Sequence, residues 1–296
     1  MKYFFVDDSV KVIGGTSLTL DAIIEPNAEN VELIPTSELK FIDCVEKSGT
    51  WIFGNITALN HSVVTNILWL LENKICVKVE FDYGYCAYRS PNSHLSFKNE
   101  ECSCFSGECE VPPLQNIYRA ITEKCKHIFY MSQQQLDLHI KNTQLGSASR
   151  SVLTSCFTSK TYESFSELAN QEKNNKYAIL KGQGGWHSKA KGFEKSIEYA
   201  RQNNLQSDII QTETHDKMLK LLSTYKGLIF LPIIQDTCPR IVIEAKLLGL
   251  ELIINNNCQH ITEDWWKDKS IEEITTHLKS RPEYFWREME NISQGI

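Results

Sequence analysis

The chain predicts an α/β protein of two doubly wound domains, each built on a parallel sheet. Three observations carry that prediction. From Tyr177 onward, short apolar runs alternate with amphipathic stretches of helical length, the rhythm of βαβ units and hence of parallel strands. The first half repeats this rhythm more loosely, with apolar runs at Tyr3–Val6, 51–53, 75–81 and 127–131. The length of 296 residues, 42% of them apolar, suits two domains of roughly 100 to 150 residues each.

The elements follow in order. Tyr3–Val6 reads as a first strand, a Gly-Gly-Thr-Ser loop opens at Gly14, and a helix runs on to Ile24. Val31–Ile34 is a further short apolar run. Between the strands at 51–53 and 75–81, residues 58–72 carry apolar side chains at helical spacing. Helix 114–124, strand 127–131 and helix 133–142 come next, with Ser132 and Gln135 spaced as a capping box. Residues 84–112 differ: rich in Cys, Ser, Asn and Gly, they read as one long structured loop. The polar stretch 142–150, a strand at 152–157 and the polar stretch 170–176 mark a junction.

The second half predicts strand Tyr177–Leu180, helix 192–203, strand 208–211, helix 215–224, strand 227–231, helix 239–248 and strand Glu251–Ile254. The tail, 271–296, is helical and aromatic. The expected domains are therefore 1–160 and 161–279, with a C-terminal helix at 280–296.

Composition removes several functions. A formal charge of −6 gives no global attraction to nucleic acid. No apolar run is long enough for a transmembrane helix. The N-terminal run stops at Asp7 and Asp8, as a strand does and a signal peptide does not. The expected compartment is the cytoplasm, with room for peripheral membrane contact. Ten cysteines then read as thiols or metal ligands rather than structural disulfides.

The densest chemistry lies at Asp236-Thr-Cys-Pro-Arg-Ile-Val-Ile-Glu244, followed by Ala245, Gly249 and an apolar strand. In open parallel sheets, ligands bind beyond the carboxyl ends of the strands. Asp236 follows an apolar run, Pro239 fits the first position of a helix, and the start of that helix is an anion site. Glu244 lies about a turn and a half further on, placed to accept hydrogen bonds from ribose hydroxyls. As plain structure, the two acids would be a solvated loop acid and a helix-surface acid.

This stretch resembles the E-x7-E region of retaining glycosyltransferases of the GT-B fold, family-four-like. Glu244-Ala245 and Gly249 keep the pattern, while Asp236 replaces its first Glu. Lys191-Gly192 is similar to the family's Lys-Gly element, and Gly14-Gly15 to its glycine loop after strand one. The resemblance implies two Rossmann-like domains facing a cleft, with the C-terminal helix crossing back to the first. It implies Asp236 at the transferred sugar and Lys191 on the donor diphosphate. Gly14, Gly15, Lys181, Cys238, Pro239, Arg240 and Glu244 complete the donor set. It also implies retention at the anomeric carbon and no catalytic metal or other required cofactor.

Glu80, Asp82, Tyr83, Tyr85 and Arg89 combine acids, aromatics and a cation, a mixture that suits sugars; Asp82, Tyr83 and Arg89 are the acceptor candidates. Packing in a core is the alternative for Tyr83. Cys86, Cys102, Cys104 and Cys109, or three of them with His94, offer a tetrahedral structural zinc site. Reduced thiols or a disulfide are the alternatives.

The function expected is transfer of a sugar from a nucleotide-sugar to a hydroxyl of a glycan or lipid-linked acceptor, with no nucleic-acid partner. A sugar-nucleotide epimerase on the same fold and a non-catalytic nucleotide-sugar-binding module are the rival readings.

Overall fold

The computed structural model describes every residue except 12–13, 57–58, 106–111, 144–145, 147, 183–188, 212–213 and 296, and leaves aside the side chains of 10, 11 and 112–114. The chain forms two compact units. The first is Met1–Cys156 with Lys279–Ile296, and the second is Phe157–Leu278.

The first unit holds strands β1 (Tyr3–Val6), β2 (Val31–Ile34), β3 (Thr50–Phe53), β4 (Cys76–Glu80), β5 (His127–Tyr130) and β6 (Ser149–Val152). They form one parallel sheet in the order β2-β1-β3-β4-β5-β6. The four central strands are buried along their whole length, as parallel strands covered on both faces must be. Its helices are α1 (Gly15–Ile24), α2 (Phe41–Glu46), α3 (His61–Asn73), α4 (Pro91–Lys98), α5 (Pro112–Lys124) and α6 (Gln133–Thr143). One face of the sheet packs Phe4, Trp51 and Phe53 against Ile67 and Leu70 of α3 and Ile117 and Ile121 of α5.

The tail helix, Arg281–Gln294, belongs to this unit. Phe285 lies 4.8 Å from Phe129, Trp286 lies 4.8 Å from Tyr3, and the Trp286 indole donates to the Ile23 carbonyl at 2.7 Å. Arg281 anchors its start on the carbonyls of Val152 and Leu153, at 2.6 and 2.9 Å.

Helix α2 has no counterpart in the sequence reading, and three further elements depart from it. The edge strand β6 is Ser149–Val152, not 152–157; it pairs in register with β5, while Leu153 leaves the ladder after one more bond to Tyr130. Within the expected loop lies α4, whose signals are Ser90 as N-cap and Pro91 at the first helical position. In the expected junction lies α7 (Ser159–Leu168), capped by Thr158, with Phe165 and Leu168 buried. Both helices have too few apolar residues to show a clear 3.6-residue stripe.

The second unit holds α7, β7 (Tyr177–Leu180), α8 (Phe193–Gln202), β8 (Ser207–Ile210), α9 (His215–Leu222), β9 (Gly227–Phe230), α10 (Arg240–Leu247), β10 (Glu251–Ile254) and α11 (Ile271–Lys279). Its sheet is parallel in the order β10-β9-β7-β8. The chain winds outward from β7 to β8 and then returns to the other side of β7 as β9. The first sheet reverses likewise, between β1 and β3. Such reversal points open a crevice beyond the carboxyl ends of the two strands that flank them.

Candidate active site

In the second unit, the reversal point lies between β7 and β9. The segments that leave these strands carry Lys181 and Lys191 from one side and residues 231–239 from the other. Gly192 joins the two. Its φ is +72°, and a β-carbon there would lie 1.8 Å from the Leu231 carbonyl oxygen. Only glycine meets both demands. The close contact sets Lys191 beside the β9 exit, where its ammonium donates to Asp236 Oδ2 at 2.5 Å. Asp236 is held from behind by its backbone: its N–H donates to the Asn257 carbonyl at 2.7 Å, and its own carbonyl accepts from Gln259 at 3.0 Å. Asp236 and Cys258 thus form a parallel bridge beyond β9 and β10. The side chain of Asp236 is 11% exposed and that of Lys191 is 44% exposed. The pair is therefore open to a ligand on the lysine side. Lys181 is exposed just beyond β7, its N–H bonded to the Ile210 carbonyl at 2.9 Å.

Helix α10 begins one residue later than its sequence suggests. Pro239 is the N-cap, not the first helical residue: its ψ of 109° keeps it out of the helix, and its carbonyl accepts from Val242 at 3.1 Å. Pro239 brings no side-chain acceptor to the first turn. The positive end of the helix dipole points at residues 236–239, beside the lysine. Cys238 is buried there.

Glu244 is placed less simply than the spacing implies. It is 3% exposed, and its Oε1 lies 2.9 Å from His215 Nε2 and 3.4 Å from Arg240 Nε. Arg240 is itself 7% exposed, its guanidinium 4.0 Å over the Phe157 ring. Burial pushes the Glu244 carboxyl up, but the His215 hydrogen bond and the Arg240 charge outweigh it and hold the carboxyl below its ordinary value. His215, at the start of α9, is a site residue that the sequence did not flag; only Thr214 as a helix cap marks its position.

In the first unit, the reversal point is closed by Asp7. Its carboxylate accepts from the N–H of Asn55 at 2.6 Å and from the N–H of Ser9 at 2.5 Å, tying the exits of β3 and β1 together. Burial raises its pKa against the pull of those donors. Gly14 caps α1 in extended conformation, φ −172°, and Gly15 is its first residue. Among the described residues, a β-carbon on Gly14 would meet nothing within 4 Å, so they make no demand for glycine there.

The acceptor candidates divide. Arg89 grips Asp82 in a two-pronged ion pair, with Nε 2.9 Å from both carboxylate oxygens, and each side chain is about one-third exposed. Tyr83 is fully buried and stacks on His139 at 5.6 Å. It packs the core, and as folded it offers nothing to an acceptor. Glu80 is also internal: it pairs with Lys78 at 3.2 Å and accepts from Tyr118 at 2.9 Å. Gln135 fastens the segment after β4 by donating to the carbonyls of Glu80 and Asp82 at 3.0 and 2.6 Å. The Ser132 hydroxyl caps the Gln135 N–H at 3.1 Å, as the capping-box spacing predicts, and the Gln135 carbonyl oxygen accepts from the Met131 N–H at 2.6 Å.

Cys86, His94, Cys102 and Cys104 converge, their ligand atoms all within 4.8 Å of one another. Cys109 lies outside the described residues. None of the described cysteines is disulfide-bonded.

No protein-family model and no curated sequence matches the chain. Solved structures do. The crystal structure of AviGT4, a glycosyltransferase involved in avilamycin A biosynthesis, superposes with a TM-score of 0.58 at 10% identity, over 100% of this chain and 99% of that one. HepE of Anabaena, in complex with UDP-glucose, gives 0.53 at 12% identity, over 100% and 98%. An α-glucosyltransferase in complex with UDP and a 13-mer DNA containing a HMU base gives 0.50 at 12%, over 99% and 94%. The likeness is one of fold: two Rossmann-like units in the GT-B architecture. Among the described residues, no helix is long and apolar enough to cross a membrane.

Proposed function

We propose that this chain is a glycosyltransferase that moves a sugar from a nucleotide-sugar to a hydroxyl of a glycan or lipid-linked acceptor. The observation that carries the reading is the Lys191–Asp236 pair at the reversal point of the second sheet, beside the positive end of α10. A cation and a helix start at one strand edge suit a diphosphate, whose charge grows as it leaves. In this reading, the donor diphosphate takes Lys191 from Asp236, with Lys181 and the 238–240 helix start adding charge and dipole. The Asp236 carboxylate, released, accepts from hydroxyls of the transferred sugar.

Arg240 and His215 fix Glu244 rather than touching the donor, and Glu244 offers its remaining acceptor capacity to the ribose. The resemblance gives Gly14 and Gly15 a donor contact, and the open space at the Gly14 α-carbon supports it. Asp82 and Arg89 are the acceptor-side pair. Retention and independence of a catalytic metal come from the resemblance alone. Two of the similar structures hold UDP or UDP-glucose, so uridine nucleotide-sugars are the first donors to try. The net charge of −6 favours a glycan or lipid-linked acceptor over nucleic acid. The absence of a spanning helix among the described residues is compatible with cytoplasmic or peripheral membrane work.

The test is turnover of a nucleotide-sugar panel with and without glycan acceptors, following nucleoside diphosphate release and the anomeric proton of the product. Acceptor-dependent release with α-product from α-donor supports the reading. Conversion of the donor sugar without acceptor makes the chain an epimerase, and binding without any turnover makes it a binding module.

A further inference from the structure

We propose that Cys86, His94, Cys102 and Cys104 bind one structural zinc ion in the first unit. The inference is independent of sugar transfer and rests on a different part of the molecule.

Three of the four ligand atoms are spaced as in a tetrahedral site. A zinc ion with Zn–S of about 2.3 Å and Zn–N of about 2.05 Å sets two sulfurs about 3.8 Å apart, and a sulfur and a nitrogen about 3.6 Å apart. Here Cys86 Sγ and Cys104 Sγ are separated by 3.9 Å. His94 Nδ1 lies 3.8 Å from Cys86 Sγ and 3.3 Å from Cys104 Sγ. All three separations fall within about 0.3 Å of the ideal values. A disulfide would need sulfurs about 2.05 Å apart, so Cys86 and Cys104 are not bonded to each other. Cys102 closes the set, its Sγ within the same 4.8 Å span.

The surroundings suit a closed site. Cys86, Cys104 and His94 are at most 2% exposed, and Tyr83, Tyr85, Phe105 and Tyr118 pack around the sulfurs. Three thiolates and an imidazole, with no oxygen donor, select zinc over magnesium or calcium. Four protein ligands leave no open position for water or substrate, so the ion is structural rather than catalytic. The second ring nitrogen, His94 Nε2, is buried and faces Glu100 at 3.9 Å, the side on which a metal-bound imidazole takes a carboxylate.

The need is equally physical. Between β4 and α5, α4 is the one helix or strand among the described residues, and it leaves Leu95 and Phe97 about half exposed. The ligands come from before α4, from α4 itself and from after it. One ion would pin all three pieces and hold the segment that carries Asp82 and Arg89. Binding releases the three thiol protons to solvent, and the site then carries one net negative charge.

The experiment is metal analysis of the full chain purified without chelator. About one zinc per chain is expected, with a lower melting temperature after chelation and recovery when zinc is returned. Cobalt replacement should give tetrahedral d–d bands and a thiolate-to-cobalt charge-transfer band. Cys86→Ser and Cys104→Ser should lose the metal, while His94→Cys and Cys109→Ser keep it. Should the serine variants fail to fold, rebinding of zinc by the chelated wild type, in competition with a metallochromic dye, still decides the matter. Wild type with only trace metal, or no rebinding, overturns the proposal. Iron with sulfide in place of zinc overturns it as well, and loss of zinc in Cys109→Ser overturns the ligand set.

Discussion

The Lys191 ammonium donates to Asp236 Oδ2 at 2.5 Å, across the reversal point between β7 and β9. Neither residue is held by the other alone. Gly192 fixes the lysine turn, and the bridge to Cys258 fixes the aspartate backbone. An ion pair this exposed on the lysine side contributes about 0–1 kcal/mol to stability. Lys191→Ala should therefore fold with a melting temperature close to wild type, yet weaken nucleotide-sugar binding at least about tenfold, since a charged contact to phosphate contributes about 1.5–3 kcal/mol. Paired calorimetric titration and thermal unfolding check both halves.

Glu244 behaves in the opposite way. It is buried between the partly exposed His215 and the buried Arg240, and removing it takes the carboxylate away from a buried guanidinium. Glu244→Ala should cost about 3–5 kcal/mol, measured by denaturant unfolding. Glu244→Gln, which keeps the shape, should cost less and is the better probe of ribose binding. The sign with pH follows from the lowered carboxyl. The native state holds the proton less tightly than the unfolded chain, so the contribution is complete above the unfolded value near 4.3 and fades as pH falls below it.

Gly192 of the second unit and Gly14 of the first should separate. Gly192→Ala forces a β-carbon into the Leu231 carbonyl at positive φ. The backbone strain alone costs about 1–3 kcal/mol, and the clash adds to it. Gly14→Ala meets no neighbour among the described residues and has an extended backbone, so the fold should keep its stability within about 0.5 kcal/mol. If glycine there serves a ligand, its donor affinity falls while its unfolding midpoint stays.

Three buried histidines predict a loss of stability in acid. Burial holds His139 and His260 down to about 3, and His127 down to about 4. Above the unfolded value near 6.5, folding is indifferent to them. Below it, the unfolded chain takes up protons that the native state refuses, and each histidine removes up to about 1.4 kcal/mol of stability per pH unit. Unfolding free energy measured between pH 7 and 5 should fall, and His260→Phe should lessen the slope for the second unit.

Much of this was legible in residues. The βαβ rhythm after Tyr177 is a strong periodic signal, and every strand predicted there formed within two residues of its expected place. The Asp236–Glu244 spacing placed one acid at the sheet edge because helix starts carry local signatures. What the sequence hid is tertiary. Nothing at His215 announces that it will reach a glutamate 29 positions away, and the choice for Tyr83 between acceptor contact and core packing waits until His139 stacks on it. Helices α4 and α7 escaped because their caps are clear but their apolar stripes are thin. The choice of His94 beside the thiols depends on α4, and so it too had to wait for the fold.

The central claim is that the second unit grips a nucleotide-sugar through Lys191. A thermal-shift panel of uridine, guanosine and adenosine nucleotide-sugars, run on wild type and Lys191→Ala, tests it most directly. At a hundredfold excess over the dissociation constant, a true donor stabilises by about 2.7 kcal/mol. The account predicts that at least one donor raises the wild-type melting temperature and that Lys191→Ala, equally stable when empty, loses most of that rise. A panel in which no donor stabilises the wild type, or in which Lys191→Ala responds as the wild type does, contradicts it.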